Sequence, residues 1–386
     1  EFRRVLFRSV KIPEIKMNES KKNRLIAEAR TLRALYYFNL VRFFGDVPLI
    51  LDLKTVEDSK GPRDSKELIY DQIIEDLTFA EEHLPLRSEY SASDEGRINK
   101  GAAKILFGKV YLTKGDFQKA KDKLAEVVEH ESEYGFGLHK DYHANWLRDT
   151  EAGIEAVLYI EYKEPPFQHN GEMALAGPKY SIPGSLGISA LNEADIPTQE
   201  LYDQFDNRDL RKKTNFKTEF AHLKTGEILK SSIPLSGKFW VEGLETGDRC
   251  DVNMHIIRYA DAILMYAEAL NEVGESTKAL AMLNRIRERA FGDDSGNFKP
   301  MSKDEFRTAI LNERRLEFPH EGHRWFDLVR TGTFIQRMKE HSAYEAKVAE
   351  ANKTEIAQNI KEHMILMPIP QSEIDLNPNL VQNAGY

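Results

Sequence analysis

The sequence predicts a mainly α-helical protein in which helical hairpins flank an irregular, loop-rich insertion that contains short strands. Three observations support this prediction. Apolar residues recur at helical spacing from Leu25 to Phe44. A helix-turn-helix pattern occurs twice in the chain. Between its two copies, from Glu131 to Asn253, helical periodicity fades while glycine, proline and aromatic residues become frequent.

The first long helix lies in the stretch Ala27–Ile50, which reads AEARTLRALYYFNLVRFFGDVPLI. From Ala34 onward the helix is apolar nearly all round, so other helices must cover most of its surface. Gly45 is expected to end it with a left-handed residue, and Pro48 prevents the helix from resuming.

A second helix is predicted from Ser65 to His83, where Asp64 and Glu67 have the spacing of a capping box. Pro85 follows the end of this helix and agrees with a stop at that point.

The clearest repeat is a helical hairpin. Asn99 is expected to cap a helix that runs to Lys114, Gly115 to break it, and Asp116 to start a partner helix that reaches about His130. The pattern is typical of a tetratricopeptide hairpin, in which small residues allow two helices to approach each other. The same spacing relates two sets of six residues: Gly108, Tyr111, Gly115, Ala120, Leu124 and Val127, and Ala267, Leu270, Gly274, Ala279, Leu283 and Ile286.

The insertion contains one good strand candidate, Ala156–Tyr162, and a long loop, Lys163–Ile196, with several proline–glycine turns. A long, weakly regular insertion between repeats is either functional or disordered, and its aromatic residues and glycines argue for an ordered, functional segment. Further helices are predicted at Pro197–Asp206, Lys303–Phe318 and Arg324–Arg330, with a polar helix within Lys339–His363. An extended tail follows and is expected to lie against the body of the protein. The second hairpin copy predicts helices Ile256–Glu272 and Ser276–Ala290.

Composition excludes several classes of function. The formal net charge is −9 over 386 residues, so a nucleic-acid partner is not expected. The single cysteine, Cys250, excludes an intrachain disulfide and any multi-cysteine metal site. No stretch reads as a membrane span or a secretory signal. The opening residues EFRRVLFRS match neither the following helix nor a targeting signal, so we interpret residues 1–10 as an adapter-derived, non-native segment.

Several segments resemble the signatures of the SusD/RagB family of nutrient-binding outer-membrane lipoproteins of Bacteroidetes, and they occur in the order found in that family. These segments are Arg42–Ile50 (RFFGDVPLI), Arg258–Asn271, Glu313–Phe318, Gly322–Arg330, and Pro368–Pro370 with Asn377–Asn379. The resemblance implies a binding protein and not an enzyme, without a cofactor. It also implies an oligosaccharide or other nutrient as ligand, delivery to a TonB-dependent SusC-like transporter, and lipid anchoring on the external face of the outer membrane in the full-length protein. The signal and the lipidated cysteine of the family are absent from this fragment.

Together these observations predict four regions. The adapter-derived segment 1–10 precedes an incomplete SusD-like helical-repeat scaffold, 11–130. A loop-rich ligand-binding region, 131–254, separates that scaffold from a C-terminal SusD/RagB helical part with its tail, 255–386.

A glycoside hydrolase is the enzymatic alternative, because Glu313 and Glu317 lie one helical turn apart, with their Cβ atoms roughly 6 Å from each other. Paired carboxylates about 5–9 Å apart can cleave glycosidic bonds. However, a general acid needs a raised pKa, whereas nearby guanidinium groups keep carboxylates ionised. We therefore interpret this region as a structural ion network formed by Glu313, Arg314, Arg315, Glu317, Arg324 and Arg330.

The motif His320-Glu321-Gly322-His323 lacks the helical histidine spacing of a zinc protease and is interpreted as a turn, so no metal site is predicted. Cys250 has no neighbouring histidine and is interpreted as incidental.

The ligand site is predicted in the insertion, because repeat helices must bury their apolar faces against one another. A sugar needs an aromatic platform with a few hydrogen-bonding groups. Trp325 is expected in the core, Trp240 is left open between core and surface, and Trp146 is expected to be the most accessible tryptophan. The predicted ligand-binding residues are Trp146, Phe167, His169, Asn170 and Tyr180. A helical-repeat adaptor for a protein or peptide remains the alternative function.

Overall fold

The computed structural model describes residues 12–52, 55, 57–163, 171, 173, 175, 177–179, 186–189, 191–241, 243, 244, 246, 250–348 and 359–386. The adapter-like segment 1–10 lies outside these ranges.

Helices dominate the described chain. In chain order the α-helices are α1 (Glu19–Phe44), α2 (Lys66–His83), α3 (Lys100–Lys114), α4 (Phe117–Val128), α5 (Glu131–Tyr134), α6 (Gln199–Gln204), α7 (Arg211–Asn215), α8 (Tyr259–Glu272), α9 (Ser276–Phe291), α10 (Lys303–Glu317), α11 (Arg324–Arg330), α12 (Phe334–Val348) and α13 (Gln371–Leu376). The strands are β1 (Ala156–Ile160), β2 (Phe216–Ala221), β3 (Ile228–Ser236) and β4 (Met254–Arg258). The predicted fold class, a mainly helical scaffold with short strands in its insertion, is confirmed.

The chain folds into two units. The first contains the described residues up to Tyr134 and those from Leu328 to Tyr386, and the second is Gly135–Asp327. This division differs from the predicted boundaries. The boundary predicted between residues 254 and 255 lies inside the second unit, because β1 of the loop-rich region pairs with β4 at that point of the chain.

In the first unit, α1 packs against α2. Asn18 caps α1 by accepting a hydrogen bond from the Lys21 N–H, and Gly45 ends the helix at a φ of 72°, as predicted. The buried residues of α1 are Ala27, Thr31, Ala34, Tyr37, Phe38 and Val41.

The predicted capping box at the start of α2 is wrong. The N-cap is Ser65, whose hydroxyl accepts from the Leu68 N–H, while the Asp64 carboxylate accepts from the Leu49 N–H at 2.7 Å. Asp64 therefore restrains the backbone at Leu49, in the segment that follows α1. Sequence spacing did not distinguish these two uses of one carboxylate.

The two predicted hairpins are present as α3–α4 and α8–α9, and their turns have the same geometry. Gly115 and Gly274 both have positive φ angles, 78° and 91°. The next residue donates its N–H to the fifth residue before it in both turns, from Asp116 to Tyr111 at 3.0 Å and from Glu275 to Leu270 at 2.8 Å. The prediction of two hairpins of one type is confirmed.

The C-terminal tail lies against the end of α1, as expected. The Met367 N–H donates to the Phe43 carbonyl, and the Asn383 amide donates to the carbonyls of Phe44 and Met367. The short helix α13 interrupts the extended tail. Helix α12 begins at Phe334, before the predicted start at Lys339, and residues 349–358 of that prediction lie outside the described ranges.

In the second unit, β1 and β4 form an antiparallel pair that runs from Ala156 opposite Arg258 to Ile160 opposite Met254. The second antiparallel pair, β2–β3, was not predicted from the sequence. Strand β3 contains Pro234, and its apolar and polar residues alternate only weakly. Both features argue against a strand. The register shift of this pair falls between Lys217 and Glu219, whose partners are Leu235 and Lys230, so Pro234 lies in the irregular stretch that needs no ladder hydrogen bond.

Candidate functional site

Trp146, which was predicted to be an accessible ligand-binding tryptophan, is buried in the structure. Its side chain is 4% exposed, so the expectation of an accessible ring is wrong. The other four predicted ligand residues, Phe167, His169, Asn170 and Tyr180, lie outside the described ranges.

Trp146 is buried because polar and apolar neighbours surround it. It ends a 3₁₀ turn, Tyr142–Trp146, and the Tyr142 ring meets it edge-on with the centroids 4.8 Å apart. The ammonium of Lys238 lies 4.6 Å from the centre of the indole, and the guanidinium of Arg258 lies 5.3 Å from it. The indole therefore makes cation–π contacts with Lys238 and Arg258 of the protein itself. Its apolar neighbours are Met173, Phe239, Cys250 and Val252.

Trp240 is the half-buried tryptophan of the loop-rich region. It packs against the Trp146 cluster and also against a second cluster made of Leu186, Leu191, Phe220 and Leu235. Phe220 meets the indole edge-on at 4.6 Å, and the Lys217 ammonium lies 4.9 Å from the ring centre. These contacts fix the orientation of a ring that stays partly accessible.

A narrow cavity beside Trp240 is lined by Met173, Gly177, Ser236, Phe239 and Trp240. Its walls leave no room for the centre of a water molecule. A sugar ring could not enter it, so this cavity is not a binding pocket in the described conformation.

Glu317 lies in a buried ion network, but its partners are not the arginines that were predicted. Its carboxylate accepts from Arg211 at 2.9 Å, Arg258 at 3.1 Å and Arg289 at 2.5 Å. Burial alone would raise the pKa of Glu317, but the guanidiniums of Arg289, Arg258 and Arg211 outweigh it and lower that pKa to about 2. This agrees with the ionised state that was predicted, in which Glu317 is unsuited to act as a general acid near neutral pH.

The other members of the predicted network pair elsewhere. Glu313 lies 2.7 Å from both Arg211 and Arg287. Arg314 binds Asp261 at 2.7 Å and Asp327 at 2.8 Å. Arg315 binds Glu200 at 3.1 Å. The participation of Arg324 and Arg330 stays a prediction.

Glu321, in the turn His320-Glu321-Gly322-His323, is part of the same network. It accepts from Lys238 at 2.5 Å and from Arg258 at 2.7 and 2.9 Å. Burial alone would raise the pKa of Glu321, but Arg258 and Lys238 hold it well below its ordinary value. Burial lowers the pKa of Lys238 to about 8, although Glu321 opposes the shift.

Glu155 completes the network, and no sequence signal indicated it. It is fully buried just before β1. Its carboxylate binds the guanidiniums of Arg258 and Arg289 and accepts from the Asn145 side chain at 3.2 Å. Glu155, Glu317 and Glu321 thus tie the loop-rich region to helices α8, α9 and α10. Only the folded chain brings these residues together from distant positions.

The network carboxylates Glu155, Glu317 and Glu321 and the thiol of Cys250 are poorly suited to catalysis. The carboxylates Glu155, Glu317 and Glu321 are each paired with cations. Cys250 is fully buried, and burial raises the pKa of its thiol to about 11. The thiolate that a nucleophile needs is therefore scarce at neutral pH.

Two further observations concern metals and membranes. The described residues contain no group of three or more histidine, cysteine, aspartate or glutamate side chains that could hold a metal ion. None of the helices in the described ranges combines the length and apolarity needed to cross a bilayer.

Two family models match the chain. The model described as the SusD family matches residues 232–386. The SusD-like model described as "Starch-binding associating with outer membrane" matches residues 9–112.

Curated relatives align along most of the chain. SusD-like protein P2 of Formosa agariphila is 31% identical over 408 residues, which cover 96% of this chain and 75% of the relative. The starch-binding protein SusD of Bacteroides thetaiotaomicron is 24% identical over 437 residues, covering 96% and 74%.

Solved structures share the fold. A laminarin-binding SusD-like protein superposes with a TM-score of 0.79 at 28% identity, covering 98% of this chain and 82% of that structure. A SusD superfamily protein from Parabacteroides distasonis superposes with a TM-score of 0.81 at 28% identity, covering 97% and 82%.

Proposed function

Because the chain belongs to the SusD family, we propose that it is a carbohydrate-binding protein associated with the outer membrane. The observation that carries this proposal is the likeness, along 98% of the chain, to a structure described as laminarin-binding. The family is one of binding proteins and not of enzymes, in agreement with the paired state of Glu317 and Glu321.

We propose that the ligand surface lies in the loop-rich part of the second unit. A sugar presents an apolar face and a polar rim, so it needs a rigid ring with hydrogen-bonding groups around it. Trp240 offers such a ring, since two apolar clusters support it while part of it stays accessible. Phe167, His169, Asn170 and Tyr180 remain candidates for the polar and aromatic surroundings.

In this proposal Trp146 acts indirectly. Its indole makes a cation–π contact with the ammonium of Lys238, and that ammonium donates a hydrogen bond to Glu321. Lys238 lies two residues before Trp240 in the chain. The buried charges thereby fix the segment that carries Trp240. A prepositioned ring loses less conformational entropy on binding than a mobile one.

Delivery to a TonB-dependent SusC-like transporter, and lipid anchoring on the external face, are further parts of the proposal that rest on the family resemblance. Anchoring a binder beside a transporter would raise the local ligand concentration without requiring tight affinity. Recovery of a TonB-dependent transporter with the full-length protein from detergent-solubilised outer membranes would support this part.

The carbohydrate proposal is tested by affinity electrophoresis of the purified chain in gels that contain laminarin, starch or no polysaccharide, followed by a glycan array. Retardation by a polysaccharide, reversed by its soluble oligosaccharide, is the expected result. Retention by a peptide library without retention by any glycan would instead favour the peptide-binding adaptor. Release of sugar on prolonged incubation, abolished in Glu317→Gln, would contradict the assignment as a binding protein.

A further inference from the structure

The segment that leads to Trp240 is basic, although the chain as a whole is acidic. Residues 211–240, which contain α7, β2 and β3, include seven lysine and arginine residues and two glutamates, in a chain of net charge −9. We propose that the surface at Trp240 takes an anionic glycan, one with carboxylate or sulfate groups, and that Lys217 binds one of these groups. This inference rests on the proposed carbohydrate function and narrows its ligand class.

Two of these basic residues are neutralised inside the protein. Arg211 pairs with Glu317 and Lys238 with Glu321, and all four side chains are buried. The other basic residues of the segment lie at least partly at the surface: Lys212, Lys213, Lys217, Lys224 and Lys230. Because two glutamates oppose five lysines there, the accessible part of the segment is positive and attracts anions.

Lys217 brings one of these charges to the candidate ring. Its ammonium lies 4.9 Å from the centre of the Trp240 indole. Its aliphatic stem lies against the backbone at Gly237, where an added Cβ atom would stand 3.4 Å from Cγ of Lys217. The lysine belongs to β2, opposite Leu235 of β3. The strand pair therefore positions the charged head beside the ring, and the side chain stays partly accessible.

A ring with an ammonium beside it suits an acidic sugar better than a neutral one. The C–H face of the sugar can stack on the indole of Trp240. Its acidic group can then accept a charge-assisted hydrogen bond of about 2.8 Å from Lys217. An ammonium is a compact charge with three donors, so it can bind a carboxylate or a sulfate. A neutral glycan offers only hydroxyl groups to the same ammonium, so we expect a preference for acidic polymers.

The charged groups around Lys217 agree with an anionic ligand. Burial lowers the pKa of the nearby His143 and Lys217 lowers it further, although Asp141 opposes both effects. His143 is thus uncharged at neutral pH, and the positive charge next to the ring is that of Lys217. The Asp141 carboxylate accepts the His143 N–H at 2.9 Å, and Glu219 of β2 pairs with Lys230 at 3.1 Å. Each of these two carboxylates therefore has a donor of its own.

Affinity electrophoresis of the whole chain at neutral pH tests this inference. The gels contain alginate or polygalacturonate as carboxylated polymers, carrageenan as a sulfated polymer, laminarin or starch as neutral polymers, or no polysaccharide. At least one acidic polymer should retard the protein more than either neutral one, and the gels distinguish carboxylate from sulfate. A chain of net charge −9 has no general attraction to polyanions, so such retardation would indicate a local site. Raising NaCl from about 0.05 M to about 0.5 M should weaken it by screening.

Lys217→Met removes the charge and keeps an unbranched apolar side chain against Gly237. It should raise the apparent Kd for the retarding acidic polymer about three- to tenfold. Lys217→Arg keeps the charge and should retain most of the affinity. Lys66→Met is the matched control, because it removes an equal charge from an exposed position of the other unit and should leave retardation unchanged. Thermal melting of each variant verifies that it is folded.

The outcomes separate this inference from the carbohydrate proposal. Retardation by laminarin or starch, without retardation by any acidic polymer, would overturn the anionic preference and leave the carbohydrate function standing. Equal weakening by Lys217→Met and Lys66→Met would overturn the role of Lys217, since a general loss of positive charge would then explain the result. Absence of retardation by every polymer would contradict the carbohydrate function itself, and this inference with it.

Discussion

Gly108 of α3 lies directly against Leu124 of α4. A Cβ atom added at Gly108 would stand 2.5 Å from Cγ of Leu124, a distance at which something must move. Leu124 is fully buried, so it has little space into which to move. The close approach of the two helices depends on the absence of a side chain at Gly108.

Replacing Gly108 with leucine should therefore separate α3 from α4 and destabilise the protein by about 1–3 kcal/mol through overpacking. Thermal unfolding followed by circular dichroism measures the change. Gln118→Leu, on the exposed side of α4, is the control and should leave the melting temperature nearly unchanged. An unaltered melt for the Gly108 variant would show that the hairpin is packed differently.

Glu317→Gln should lower the free energy of unfolding by about 3 kcal/mol, because it leaves buried guanidinium groups without a full counter-charge. Arg211, Arg258 and Arg289 each lose an ionic partner. Glu219→Gln, at an exposed pair with Lys230, should cost far less. Binding of any glycan identified by array should keep its specificity, and lost binding at an unchanged melting temperature would instead assign Glu317 to the ligand site.

The buried carboxylate of Glu317 should also make the stability of the protein fall at acid pH. The pKa of Glu317 is lowered to about 2 in the folded protein, against about 4.3 in an unfolded chain. Its contribution is complete above the unfolded value and is lost as the pH falls towards about 2. Denaturant titrations between these values should show a steeper loss of stability for the wild type than for Glu317→Gln, and parallel curves would contradict this role.

Lys238→Met tests whether burial lowers the pKa of Lys238. Burial lowers the pKa of Lys238 to about 8 in the folded state, whereas an unfolded lysine titrates near about 10.4. Between these values the unfolded chain binds more protons, so the stability of the wild type should rise with pH relative to the variant. Unfolding by urea at about pH 8 and about pH 10 compares the two proteins. A constant difference between them would mean that Lys238 keeps an ordinary pKa.

The two loop-region tryptophans should respond differently to truncation. Trp146→Ala removes a buried ring and should cost about 3–5 kcal/mol of stability. Trp240→Ala should weaken glycan binding by about 1–3 kcal/mol, by analogy with base stacking on aromatic rings. Trp240→Phe, which keeps a ring, should retain much of the affinity in isothermal titration with the glycan selected by array. Equal affinity of Trp240→Ala and the parent would place the ligand elsewhere.

The ends of the first hairpin helices were predicted correctly from the sequence, unlike the capping box of α2. The N-cap residues Asn99 and Asp116 accept the backbone hydrogen bonds expected of them, and Gly115 adopts the left-handed conformation that ends α3. These outcomes depend on residues a few positions apart, so short-range chemistry is sufficient to decide them. The pairing of β2 with β3 was missed, because Pro234 obscured a strand whose bulge accommodates it.

The sequence by itself determined the helical hairpins and the loop-rich character of the insertion. It did so because hydrophobic period and capping residues are properties of neighbouring positions. Only the tertiary structure decided which arginines meet Glu317, and that Trp146 faces Lys238 and Arg258 instead of solvent. Burial and ionic pairing depend on chain segments that are distant in sequence, and folding brings them together by minimising exposed apolar surface and unpaired buried charge.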